Sequence, residues 1–287
     1  MTLVLTAIDP NVGAWQVTDQ DVSVGERIID RDWTKQVVIF CTDGSMLLAY
    51  NGLARTPGGE SIGEWICRQV APLGAASAEA GYQAPSAWIG VEYTLTLLRD
   101  AATRDFSRGP MPYRQTPLII SGCLLHPPRD VYYIGITNVR SGGVADAFYF
   151  SSTLVTQPTL FGTGSGAAYI TVDERVRIAN IIANRPRRES DYFKLLAQQN
   201  ERVAKRVVSG VSPWCQCVFM PLDSYPLRGK SFVPRGLRKT RVFRRVRFVN
   251  NGLDMTPIAD AQMARIIAEN PQRSWMNDDW VIGPGLT

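Results

Sequence analysis

Two hydrophobic periods alternate along the chain. Thr2–Ile8 is apolar and rich in β-formers, which predicts a buried strand. Ala14–Thr18 is its expected partner across an Asp9-Pro10-Asn11 turn. Gln36–Cys41 and Ser45–Tyr50 flank Thr42-Asp43-Gly44, a strong hairpin signal. The period then lengthens. Ser61-Ile62-Gly63-Glu64 reads as a capping box, with Ile62, Trp65, Ile66 and Val70 on one helical face. Beyond an Ala-, Gly- and Pro-rich loop, Ser86 is placed to cap a second helix bearing Val91, Leu95, Leu98 and Ala102.

Strand patterns return at Leu118–Leu124, Asp130–Thr137 and Ala147–Phe150. Helical spacing follows at Asp173–Ala183, with Val176, Ala179, Ile182 and Ala183 as its expected core face. It recurs at Glu189–Val208, through Tyr192, Leu195, Leu196, Gln199, Val203 and Val207. Trp214–Met220 and Thr240–Phe248 are expected as later strands, and Ile258–Ala268 as a last short helix. Grouped strands and grouped helices in this order predict two packed sheets with helices outside, rather than βαβ units.

The 287 residues suffice for a sizeable core, and 45% apolar with 20% charged residues suits an ordinary globular protein. No apolar run approaches the roughly 18 residues of a membrane span, and no basic region precedes the N-terminal apolar stretch, so no signal peptide is expected. Five cysteines, odd in number and mostly in apolar surroundings, fit free thiols in a reducing, cytoplasmic compartment. The Cys215-Gln216-Cys217 spacing and a single histidine argue against a zinc site, and no metal or cofactor is expected. His126 stands before Pro127-Pro128, in a predicted turn, and its solitude argues against most Ser-His and Cys-His hydrolase schemes.

The net charge of +5 is unevenly placed: nine of the twenty residues from Arg228 to Arg247 are Lys or Arg. A nucleic-acid patch is one reading. A charged edge strand that resists edge-to-edge pairing is the favoured one, because no nucleic-acid-binding motif accompanies the run and its aromatics are few.

Candidate chemistry gathers near the start. Thr2 is small enough for Met1 to be trimmed, and it would then hold a hydroxyl nucleophile and an α-amine base in one residue. That amine has an unperturbed pKa of about 7.7–8.0. Asp19 lies in "DQDVSVG", Lys35 in "TKQVVIF" and Gly52 in "AYNGLA". The steps are 17 residues from Thr2 to Asp19 and 16 from Asp19 to Lys35. In this order and spacing the chain resembles the proteasome branch of the N-terminal-nucleophile hydrolases, including proteasome β subunits and the bacterial peptidase that works with an ATP-dependent unfoldase. "FGTGSG" before a helix resembles that family's Gly-Ser-Gly turn and makes Ser165 the match for a site-proximal serine; Ser209-Gly210 matches a second serine turn. The resemblance spans about residues 2–220 and implies a proteasome-like domain over 1–220; the rest, 221–287, falls outside the family pattern and is expected to be a basic C-terminal extension packed on that domain.

The resemblance implies an α+β fold, a four-layer αββα sandwich of two antiparallel sheets flanked by helices. It implies a threonine hydrolase of peptide or amide bonds, working as a homo-oligomer, with an ATP-dependent unfoldase as partner. Thr2 would be the nucleophile, Lys35 would lower the pKa of its amine and hydroxyl, Asp19 would hold Lys35, and the Gly52 N–H would stabilise the oxyanion. One departure is Arg206, where proteasome β subunits carry an aspartate three residues before the second serine. That departure and the long tail keep open a second reading, a non-catalytic assembly or interaction subunit of the same fold. A basic nucleic-acid-associated protein is a third.

Overall fold

The computed structural model describes residues 2–24, 27–30, 33–75, 89–126, 130–184, 189–206, 210–223, 227–232, 246–261 and 280–282. Strands β1 (Val4–Asp9), β2 (Gly13–Asp19), β3 (Val22–Val24), β4 (Arg27–Asp30), β5 (Gln36–Cys41) and β6 (Gly44–Asn51) come first, followed by helices α1 (Ile62–Val70) and α2 (Val91–Ala102). Next are β7 (Ile119–His126), β8 (Asp130–Arg140), β9 (Gly143–Leu154) and β10 (Thr159–Thr163). A 3-10 turn (Ser165–Tyr169) leads to α3 (Val172–Asn184) and α4 (Glu189–Arg206). β11 (Cys215–Pro221), β12 (Leu227–Phe232), β13 (Arg247–Asn250), β14 (Leu253–Asp254) and β15 (Trp280–Ile282) complete the described strands.

Side-chain parity builds the layers, because successive residues of a strand point to opposite faces. In β1, β2 and β11, Leu5, Ala7, Trp15, Val17, Cys215, Cys217 and Phe219 pack with Ile178 and Ile182 of α3 and Tyr192, Leu196 and Val203 of α4. Their alternates Ile8, Ala14, Val218 and Met220 join Val38, Phe40, Leu47, Cys123 and Leu125 from the other sheet. That sheet's opposite face, through Val37, Ile39, Met46, Leu48 and Tyr50, carries Ile62, Trp65 and Ile66 of α1 and Leu95 and Leu98 of α2. The sequence of layers is thus helices, sheet, sheet, helices, the αββα sandwich expected.

One sheet runs β10-β1-β2-β11-β12-β15 and the other β14-β13-β5-β6-β7-β8-β9. Antiparallel pairing holds throughout the described ladders except that β13 runs parallel to β5. Arg247 in β13 turns to Glu64 of α1, its Nη2 2.6 Å from Oε1, so this end of the basic run lies between β5 and β14 rather than on a sheet edge. The heart of the run, 233–245, lies outside the described residues, as do the predicted Pro127-Pro128 turn, the Ser86 cap and most of the expected last helix, of which 258–261 is described, in a helical stretch that starts at 256. His126 closes β7 opposite Asp130 instead of standing in the turn.

The capping box forms as expected: Ser61 Oγ accepts from the Glu64 N–H and Glu64 Oε2 from the Ser61 N–H. α2 begins instead at Gly90, and the Asp43 carboxylate from the β5–β6 turn accepts the Val91 N–H at 2.8 Å. α3 turns differently from its expectation. Ile178 and Ile182 are buried, whereas Val176 is 53% exposed. No helix among the described residues is long and apolar enough to cross a membrane.

Candidate active site

Three strand ends meet between the sheets. Pairing of Val4 with Thr18 in the β1–β2 hairpin sets the segment before β1 beside the end of β2. Asp19 donates its N–H to the Leu3 carbonyl, and its Oδ1 accepts the Leu3 N–H at 2.9 Å. Lys35 immediately precedes β5 in the facing sheet, its carbonyl accepting the Tyr50 N–H. Its Nζ donates to Asp19 Oδ1 at 2.9 Å, the Asp21 carbonyl at 2.8 Å and Thr2 Oγ1 at 3.3 Å. These contacts occupy all three ammonium protons. Asp19 and Lys35 are buried and Thr2 is half-buried, so of the three only Thr2 stands partly open to solvent.

Burial pushes the Asp19 carboxyl above the ordinary aspartate value, against the Lys35 charge and the Leu3 and Ser212 N–H groups, which favour its ionised form. The Ser212 N–H reaches Oδ2 from the far side at 3.4 Å. An ionised pair so enclosed holds the ammonium in one place and directs one of its N–H groups at the Thr2 hydroxyl.

The Thr2 main chain is held separately. Its carbonyl accepts the Gly166 N–H at 3.1 Å, from the turn that carries Ser165. Gly164 in that turn has φ +83°, and a Cβ there would lie 2.2 Å from the Thr2 carbonyl oxygen, so glycine is required by both conformation and contact. Ser165 itself is exposed. Gly52 follows β6, two residues beyond Tyr50, the residue whose N–H meets Lys35, and is exposed. With φ +99° and the Pro117 carbonyl 1.9 Å from where a Cβ would stand, no other residue fits that turn.

Thr2, Asp19 and Lys35 are thus brought together, the Ser165 turn reaches Thr2 through Gly166, and Gly52 follows the strand that backs Lys35. Ser209 and Met1 lie outside the described residues. Gly166, Ser212 and the Asp21 carbonyl were not singled out from sequence. For Gly166 the Gly164-Ser165-Gly166 spacing carried a usable signal. The other two act through main-chain atoms, which leave none. Arg206 points away from this cluster, to Glu174 and the Tyr169 carbonyl. Among the described residues, no three His, Cys, Asp or Glu side chains gather as metal ligands would.

No protein-family model matches the chain, and no curated protein matches it. Among solved structures it is similar to Anbu (ancestral beta-subunit) from Yersinia bercovieri, with a TM-score of 0.49 and 13% identity over 78% of this chain and 83% of that one. It is also similar to a Gly-1 mutant of Anbu from Hyphomicrobium sp. strain MC1, with a TM-score of 0.49 and 12% identity over 95% of this chain and 97% of that one.

Proposed function

We propose that this chain hydrolyses peptide or other amide bonds with Thr2 as an N-terminal nucleophile, once Met1 has been removed by hydrolysis of the Met1–Thr2 bond. The observation that carries the reading is the buried Lys35 ammonium, fixed by Asp19 and donating to the Thr2 hydroxyl at 3.3 Å. Burying such a pair is costly unless close geometry and further hydrogen bonds offset the desolvation, as the Leu3, Ser212 and Asp21 main-chain groups do here.

In this mechanism the freed Thr2 amine takes the hydroxyl proton as Oγ attacks the substrate carbonyl carbon. The Lys35 charge lowers the pKa of both groups, so the amine is free to accept a proton and the developing alkoxide is stabilised. The Gly52 N–H meets the oxyanion, a donor whose loss costs about 2.7–4 kcal/mol in comparable sites. The amide C–N bond then breaks, the protonated Thr2 α-amine gives that proton to the leaving amine, and an acyl ester remains on Thr2. Water attacks that ester, its C–O bond breaks, and the hydroxyl is restored.

The experiment combines intact mass with hydrolysis of fluorogenic peptide amides. The expected results are a chain lacking Met1 and a Thr2→Ala variant whose activity falls to background. Retained Met1 in active protein, or undiminished hydrolysis by the variant, removes Thr2 from the role.

A further inference from the structure

The turn that holds Thr2 is itself held from behind by two guanidinium groups. Arg175 of α3 donates through Nη2 to the Ala167 carbonyl at 3.1 Å. Arg206, at the end of α4, donates through Nη1 to the Tyr169 carbonyl at 3.0 Å. The same Arg206 grips Glu174 in a two-point fork, Nη1 to Oε2 and Nη2 to Oε1, each at 2.8 Å. Glu174 in turn accepts the Thr171 N–H at 3.0 Å and so closes the start of α3. Inside the turn, Ala167 donates to the Gly164 carbonyl at 3.0 Å and Gly166 donates to the Thr2 carbonyl. Arg206 thus reaches the nucleophile through one hydrogen bond to Tyr169, the short backbone from Tyr169 to Gly166, and one hydrogen bond from Gly166 to Thr2.

We infer that Arg206 and Glu174 form a latch that positions the Gly164–Gly166 turn and, through it, the Thr2 hydroxyl against Lys35. The inference rests on the reading of Thr2 as nucleophile for its catalytic consequence. Arg206 is a positioning residue: it contacts the turn and α3, not Thr2. Its planar fork suits the task, because one guanidinium serves a carboxylate and a carbonyl at once, which a lysine ammonium on a flexible stem does less rigidly. The Lys35–Thr2 contact is already long at 3.3 Å. A small shift of the turn is therefore expressed first in the reactivity of Thr2.

The test compares wild type, Arg206→Ala and Arg206→Lys at matched thermal stability, with two readouts. The first is acylation of Thr2 by a β-lactone probe, followed by intact mass. Wild type is expected to form one adduct that Thr2→Ala does not, and Arg206→Ala to form it about tenfold to a hundredfold more slowly, the scale of a misplaced reacting group. Arg206→Lys is expected to recover part of the rate. Raising salt to 1 M should slow wild type toward the alanine variant, since the fork is half-exposed and screenable. The second readout is amide exchange of Gly166, whose N–H holds Thr2. It should quicken in Arg206→Ala whether or not Thr2 is reactive. Unchanged Gly166 exchange overturns the latch outright. A wild-type adduct forming at the same rate in Arg206→Ala overturns its catalytic consequence. Quickened exchange with no adduct in wild type supports the latch and defeats the nucleophile reading instead.

Discussion

At the residue scale, the Lys35 ammonium spends each of its protons inside the protein, on Thr2, Asp19 and the Asp21 carbonyl. Removing it leaves a buried carboxyl whose two remaining donors are backbone N–H groups. Lys35→Met is therefore expected to destabilise the fold by about 3–5 kcal/mol in denaturant unfolding, the cost of orphaning a buried ion-pair partner. Adding Asp19→Asn should return much of that stability, while the hydrolysis proposed for Thr2 should be absent from both variants. Equal stability of the single and double variants would show that the pair is not coupled. The three residues were legible in the chain because their side chains carry the chemistry and their order and spacing carry the family resemblance. Ser212 and Asp21 were not, because they contribute a main-chain N–H and C=O that any residue but proline would supply.

At the element scale, helical and strand periods located most segments, but not which flank of a helix turns inward. α3 carries apolar residues on two flanks, Val172 and Val176 on one and Ile178 and Ile182 on the other. Its own sequence does not choose between them; the position of the sheet beneath it does. Strand β9 extends over Gly143–Leu154, well beyond the expected Ala147–Phe150, because an edge strand tolerates the exposed polar tail Ser151-Ser152-Thr153 that hides its period. The junction of α3 and α4 has a pH signature. Glu174 is held down to about 2 by its hydrogen bonds to Arg206. Between that value and its ordinary 4.5, the folded chain binds fewer protons than the unfolded chain, so stability rises with pH through this window and is lost as pH falls through it. Glu174→Gln should flatten that slope in thermal midpoints measured from pH 2 to 5. An unaltered slope would remove the carboxylate from the account.

At the scale of the whole molecule, the two sheets share one internal layer, where Leu47 and Cys123 meet Ile8, Val218 and Met220. Leu47→Ala should cost about 2–5 kcal/mol, as deletions at filled core positions do. The loss should appear together in amide exchange of β1–β2 and of β5–β6, since both sheets rest on that layer. Exchange that quickens in one sheet alone would show that the halves unfold separately. The chain's periodicity by itself determined two sheets with helices outside, since strand parity and helical stripes are properties of neighbouring residues. The candidates Thr2, Asp19 and Lys35 came instead from the order and spacing that carry the family resemblance. Only the tertiary structure decided that Lys35 crosses from one sheet to the hydroxyl and carboxylate of the other, that β13 joins β5 in parallel, and that Arg206 serves the turn behind Thr2. Those contacts join residues up to 210 positions apart, as Arg247 of β13 is from Val37 of β5. Spacing along the chain holds no record of such distances, because they follow from how the layers pack.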